Sequence, residues 1–366
     1  MMSWYSLVCV RLNSLLNKFF IIFKSKKTKT FLKKNALFFL SIIGVVQWMR
    51  HKNRHNVSVL MLHGVMEDQP QNLWKPLRPQ ITPSELKRSL TILSRYYQFV
   101  NVDQAIDIIN GNAPEIKYPL LVTFDDGYRN NLDYALPICK EFGIKPLLCL
   151  TTGNVDSQLP FWFDRLDYAL QQNMGGVIDI DFAGESYKFN ADSRCRLKKS
   201  YKKFRDTIKQ KFDDDIDMTK LLNGLSDILE ARSGRALRDI CEKDAWSAIV
   251  KWDELKKEVT LGNINIASHT IDHVRLGCLS TSEIIYQINE SKNRIEKELE
   301  IACNIFCYPN GDYNQLVVNF LKEAGYKAAF TTDVGLCRRN DEMMTLKRYS
   351  FPVGKSETEL LFILNR

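Results

Sequence analysis

Short apolar runs recur along the chain, and most are followed by a polar turn and then a stretch with helical spacing. The runs at 57–62, 120–122, 145–151, 262–267, 304–308 and 326–331 predict buried strands, with a further short strand at 99–102. Between them the spacing predicts helices from Thr82 to about 96, over 102–110 closed by Gly111, over 131–142 with Pro137 at a kink or an end, over 281–299, and over 315–323 stopped by Gly325. Alternation of strand and helix at this interval implies parallel pairing, with the C-terminal ends of the strands on one rim. The rhythm changes over about 160–259, which reads as an insertion. Helical spacing at 161–172 and 216–232, a hairpin-like alternation at 177–189 and a helix at 194–211 with many cations and almost no anions fall inside it. That cationic helix presents either a solvated face or a surface for an acidic glycan or a lipid-linked phosphate.

The first 56 residues follow a different pattern. Over 4–23, Arg11, Ser14 and Lys18 share one helical stripe, and Trp4, Leu7, Leu12, Leu15, Phe19 and Phe23 occupy the other faces. This predicts an amphipathic helix for a membrane interface, followed by a basic linker over 24–29 suited to anionic headgroups. A second uncharged run, 36–49, spans about 21 Å as a helix, short of a bilayer core of about 30 Å. It predicts an interfacial or re-entrant anchor, a short tilted span, or a helical hairpin on the body. A cleaved signal peptide fits poorly, because no small-residue cleavage site follows Met49.

Charge sharpens this division. The net charge is +8, yet eleven cations precede the first acidic residue, Glu67; of 51 basic residues, 40 then face 43 acidic ones, a net of −3 for the rest. A near-neutral body argues against nucleic-acid binding. Nine scattered cysteines with no CxxC pair suggest reduced thiols and a body facing the cytoplasm.

Titratable residues gather at the predicted strand ends. Asp125 and Asp126 precede Gly127, His269 and His273 follow the 262–267 strand, His63 follows the first strand, and a turn at 309–311 follows another. Adjacent strand residues point to opposite faces, so the two aspartates suit different roles, one for a metal and one for proton transfer; a polar strand end before a helix is the plainer alternative. His-x-x-x-His brings two imidazoles one turn apart if the segment coils, and a carboxylate completes three ligands with a position left open, the layout of a catalytic metal site.

Thr123-Phe124-Asp125-Asp126-Gly127 together with Ser268-His269-Thr270-Ile271-Asp272-His273 resembles the first two signature motifs of the NodB-homology polysaccharide deacetylases, carbohydrate esterase family 4. Phe306-Cys307-Tyr308-Pro309-Asn310-Gly311 resembles the third, and Leu60-Met61-Leu62-His63 the leucine-x-histidine motif, here near the start as in the permuted branch. Phe161-Trp162-Phe163 and Leu346-Lys347-Arg348 are also similar to stretches of bacterial members, and the resemblance covers about 57–352.

The resemblance implies an α/β fold, a deformed (β/α) barrel of about seven strands. It implies that Asp126, His269 and His273 bind one divalent metal, usually zinc. Asp125 is then the general base and His63 the general acid. The backbone at Asn310, with Tyr308 and Pro309 beside it, serves the oxyanion and substrate. One departure stands out: Cys307 occupies the place of the usual arginine that orients the base. Arg348 either takes that role or is an ordinary surface residue.

The resulting expectation is a 57–366 deacetylase domain carrying the insertion, held at a bacterial inner membrane by residues 1–56. It removes N-acetyl groups from amino sugars of a cell-surface polysaccharide, lipopolysaccharide or lipid-linked precursor. An O-acetyl esterase and a non-catalytic glycan-binding protein on the same scaffold are the alternatives, and a metal-dependent glycosyltransferase fits the paired histidines poorly.

Overall fold

The computed structural model describes residues 39–67, 74–112 and 116–366. The amphipathic stretch expected at 4–23 and the basic linker lie outside the described residues. The chain divides into two compact units, Arg54–Gly354 and a smaller one in which Lys355–Arg366 joins Met1–Asn53.

In the smaller unit, Gly44 interrupts the apolar run with φ 79°, and a helix resumes over Val45–Lys52. It packs against a second helix, Glu357–Ile363, which begins with a Ser356–Glu359 capping box. The Asn53 amide donates to the Asn365 carbonyl at 2.8 Å. Phe39, Ile42 and Ile43 are exposed. No helix among the described residues is long and apolar enough to cross a membrane.

The larger unit is built on a curled parallel sheet, as the alternation predicts. Its strands are β1 (Ser58–Leu62), β2 (Gln98–Phe99), β3 (Pro119–Phe124), β4 (Leu147–Leu150), β7 (Asn265–Ser268), β8 (Ile305–Cys307), β9 (Ala328–Phe330) and β10 (Tyr349–Ser350). The order is β10-β1-β3-β4-β7-β8-β9, with β2 beside β3, and every pair in it is parallel. Every residue of β3 is buried, as expected of a strand covered on both faces. Val59, Leu121, Leu147, Cys149, Ala267, Cys307 and Phe330 form one apolar cluster from strands across the sheet.

The helices between strands follow the predicted caps: Pro83–Leu93 starts on Thr82, and Val102–Asn110 carries a capping box and ends at a left-handed Gly111. At 131–142 the chain forms a π-helical turn, Asn131–Ala135, before an α-helix, Leu136–Glu141, that takes Pro137 in its first turn.

The insertion lies between the paired strands β4 and β7. It comprises helix α1 (Trp162–Gln172), the antiparallel hairpin β5 (Val177–Phe182) and β6 (Glu185–Asn190), and helices α2 (Arg194–Lys211) and α3 (Asp215–Ser233). Leu166, Leu170, Ile180, Phe189, Leu197, Leu222 and Leu225 give it an apolar core of its own. Helix Trp252–Thr260, which the apolar spacing does not signal, carries the chain back to β7.

The insertion reaches the rim through Trp246, whose buried ring stacks on Tyr128. A Cβ at Gly64, one residue past His63, falls 2.2 Å from that ring. Gly64→Ala is therefore expected to destabilise the unit by about 1–3 kcal/mol in urea unfolding, because the stacked indole has no room to yield. An unchanged midpoint contradicts this packing.

Candidate active site

β1, β3 and β7 end on one rim, and the residues just past their ends line a cleft of about 260 Å³. His63, Asp125, Asp126, His269, His273 and Asn310 all reach it. Tyr308 and Pro309 do not line it: both are buried behind it, and the Tyr308 hydroxyl donates to the Met344 carbonyl. A larger cavity, about 480 Å³, shares Trp162 with the cleft and holds neither His63 nor the paired histidines.

Asp125 continues from β3, with its amide donating to the Leu62 carbonyl, and the chain then turns through Asp126 (φ 82°) and Gly127 (φ 92°). The turn lets adjacent carboxylates share one cleft with separate partners. Asp125 is buried and receives two parallel hydrogen bonds from Arg348, 2.7 and 2.8 Å. Burial alone raises its pKa, but Arg348, His269 and His63 together hold it down at about 2.

Arg348 is itself buried, so the surface alternative is excluded. Its Nε donates to the Thr331 carbonyl and its Nη1 to the Thr123 hydroxyl. Cys307 Sγ lies 3.9 Å from Nη1, so the thiol that replaces the motif's arginine stands beside a guanidinium from elsewhere in the chain.

Among the described residues no arginine forms an ion pair with Asp126. Its Oδ1 lies 3.4 Å from His273 Nε2 and 3.7 Å from His269 Nε2, and neither carboxylate oxygen makes a well-formed hydrogen bond although both are buried. The three donor atoms lie within 4.8 Å of one another. His269 Nδ1 donates to the Cys307 carbonyl at 2.7 Å, which fixes the tautomer and leaves Nε2 with its lone pair. Burial, above all, takes the His269 pKa down to about 4, so the ring is neutral near pH 7. Orphaned buried carboxylate oxygens facing two imidazole nitrogens are a donor set that fits a divalent cation.

The imidazoles do not meet by a helical turn. The stretch 269–273 is not helical; instead Thr270 (φ 68°) and His273 (φ 55°) adopt left-handed backbone. Buried Gln287 holds this loop, accepting from the amides of Ile271 and Asp272 and donating to the Asp272 carboxylate. Phe161 and Phe163 pack edge-on against His273.

Spacing does not reveal a second buried network. Arg78 and Tyr128 both donate to Asp164, at 2.9 and 2.5 Å, and Trp246 donates to it at 3.3 Å. The Arg78 guanidinium lies over the rings of Phe163 and Trp246. The only sequence signal was that Asp164 directly follows Phe161-Trp162-Phe163. Asn131 donates to the His63 carbonyl at 2.6 Å and so steadies the end of β1.

The polysaccharide deacetylase family pattern matches residues 113–329, more than half of the chain. This chain belongs to that family. The Bacillus subtilis (strain 168) protein YxkH, described as a polysaccharide deacetylase, is 31% identical over 104 residues, which span 28% of this chain and 37% of that protein. Among solved structures, the fold is similar to the Streptococcus pyogenes deacetylase PplD (TM-score 0.55, 15% identity, 84% of this chain and 98% of that chain). It is also similar to IcaB from Ammonifex degensii (TM-score 0.53, 15% identity, 85% and 97%).

Two measurements check the site. Arg348→Met strands a buried carboxylate and is expected to cost about 3–5 kcal/mol in denaturant unfolding, with part restored in Asp125→Asn/Arg348→Met. A loss below about 1 kcal/mol, the range of exposed pairs, contradicts the buried pairing. A depressed carboxylate pKa means the ionised form persists as pH falls, so the ¹³C-carboxyl resonance missing from Asp125→Asn is expected not to titrate between pH 7 and about 4. Protonation within that window rules out Arg348 as its clamp.

Proposed function

We propose that this protein hydrolyses the N-acetyl groups of amino sugars in a cell-surface polysaccharide, a lipopolysaccharide or a lipid-linked precursor. One observation carries the reading: a clamped, ionised Asp125 shares a cleft with the unsatisfied Asp126–His269–His273 set, on the rim of a polysaccharide deacetylase fold.

Asp126, His269 and His273 are the residues that hold a divalent cation, zinc in our reading because two imidazoles and a carboxylate suit it. Bound there, the cation supplies Lewis-acid polarisation of the acetyl carbonyl and a lowered pKa for water. Asp125, held in position by Arg348, accepts the proton of the attacking water. The Asn310 backbone N–H, presented by a turn with φ 56°, is the donor for the developing oxyanion. The C–N bond then breaks, and His63 delivers a proton to the departing amine, leaving acetate and a free amino sugar. Residues 1–56 associate with the bacterial inner membrane, with the body on the cytoplasmic side. The amphipathic pattern of 4–23 and the exposed Phe39, Ile42 and Ile43 support the first part, and the eight free cysteines of the described residues the second.

The test is metal content and acetate release by the full chain after dialysis against zinc. The parent is expected to hold about one ion per chain and His269→Ala far less. Asp125→Asn is expected to keep the ion while its release of acetate from N-acetylglucosamine oligomers falls by roughly 10²–10⁴. A folded parent without tightly held metal overturns the hydrolase reading. Faster release from matched O-acetylated sugars moves it to an esterase.

A further inference from the structure

Helix α2 carries two parallel stripes. Leu197, Tyr201, Phe204 and Ile208 recur at intervals of four, three and four residues and pack into the core of the insertion. One position further on, Lys198, Lys202, Arg205 and Lys209 repeat the same interval and form a cationic stripe. Its outer members, Lys198 and Lys202, are exposed, while its inner members, Arg205 and Lys209, are half-buried and line the cleft of Asp125, Asp126, His269 and His273.

The other charged side chains at the cleft are paired, apart from the carboxylate of the metal-ligand set. Arg348 clamps Asp125, Asp164 pairs with Arg78 at 2.9 Å, and Asp126 faces the two imidazoles. Arg205 and Lys209 make no ion pair among the described residues. The nearby carboxylates do not change this, since Asp215 is taken by Arg275 and Asp206 is exposed. Arg205 Nε is enclosed without a hydrogen-bond partner, and the Lys209 ammonium donates to a neutral acceptor, Asn310 Oδ1, at 2.5 Å. Burial, then Arg205 and Arg275, pull the Lys209 pKa down to about 8, so two cations sit close together and incompletely solvated. An anion entering the cleft relieves both, and a guanidinium fork with a neighbouring ammonium suits phosphate or carboxylate.

We propose that Arg205 and Lys209 form an anion-binding subsite beside the metal-ligand cluster, and that the N-acetylated substrate carries a phosphate or a carboxylate close to the sugar that is deacetylated. The proposal rests on the deacetylase reading above. It gives the insertion a role in choosing the substrate: Lys202 and Lys198 continue the stripe outward, over about 16 Å of helix from Lys209, as a guide for further anionic groups.

The experiment compares three compounds with the same acetamide, using the zinc-loaded full chain: methyl N-acetylglucosaminide, N-acetylglucosamine 1-phosphate, and a disaccharide of N-acetylglucosamine with glucuronic acid. The parent is expected to show a kcat/KM roughly tenfold or more higher for at least one charged compound than for the neutral one, falling as salt is raised. Which charged compound is preferred separates phosphate from carboxylate. The preference is expected to collapse in Arg205→Gln/Lys209→Gln and to survive in Arg205→Lys/Lys209→Arg, which also controls for folding. Calorimetric binding of the sugar phosphate reads the subsite without turnover. Acetate release with equal efficiency from all three overturns the subsite and leaves deacetylation standing. Tighter binding of the sugar phosphate by the parent than by the glutamine variant, with no acetate released, supports the subsite and overturns the deacetylase reading. If the glutamine variant loses binding to phosphatidylglycerol–phosphatidylcholine vesicles but keeps the substrate preference, the stripe is a membrane contact and the proposal fails.

Discussion

The Arg348–Asp125 pair is the interaction on which the rim depends. The parallel sheet does not close by strand pairing, since β9 and β10 are its two ends. The chain crosses that seam between Leu346, which bridges Phe330 at the end of β9, and Tyr349, which pairs with Leu60 of β1. Arg348 lies in the crossing and turns its side chain inward, where it bonds the carbonyl that follows β9, a hydroxyl of β3 and the Asp125 carboxylate. One guanidinium therefore joins the end of β9 to β3, the strand that leads into the paired aspartates. Two buried charges are tolerable there because the guanidinium and the carboxylate meet through two parallel hydrogen bonds, and the guanidinium has two further acceptors. The same bonds that close the seam keep Asp125 ionised and aimed, so seam closure and the orientation of this carboxylate are one event.

Around that clamp the backbone is strained where the chemistry sits. Of nine non-glycine residues with positive φ among the described residues, Asp126, Thr270, His273 and Asn310 belong to the site or adjoin it. Such conformations cost about 1–3 kcal/mol each, so they persist only where the surroundings over-determine them. Gln287 does this for the histidine loop with three hydrogen bonds, and the Thr152 and Gly153 amides add two more by donating to the carbonyls of Thr270 and Ile271. Asp126 lacks any such support for its carboxylate and keeps two unsatisfied oxygens in a buried place. That imbalance is what the cation proposed above would resolve.

These facts explain what the sequence did and did not disclose. The strand ends were legible because buried parallel strands are continuous apolar runs, and the residues that follow them are conspicuous. The histidine loop was legible as a pair but not as a shape, because Thr is β-branched and nothing local signals that Thr270 takes φ 68°. β10 is two residues long and has no periodicity to read, so the seam that makes Arg348 central was hidden. The Arg78–Asp164–Tyr128–Trp246 network joins residues up to 168 positions apart by chain number, and such contacts leave no trace in spacing.

The insertion divides labour with the sheet. Residues at the ends of the sheet strands form the candidate site, where Asp125 is paired with Arg348 and Asp126 has two unsatisfied oxygens. The insertion has its own apolar core, so α2 is a rigid mount and not a loop draped on the rim. A rigid helix holds its two stripes a fixed rotation apart: packing Leu197, Tyr201 and Ile208 inward determines where Arg205 and Lys209 emerge. A one-residue shift of either stripe turns these cations away from the cleft while leaving composition and net charge unchanged. The cationic character of 194–211 is therefore informative through its phase relative to the apolar stripe, and that phase separates a solvated helix face from one directed at a substrate.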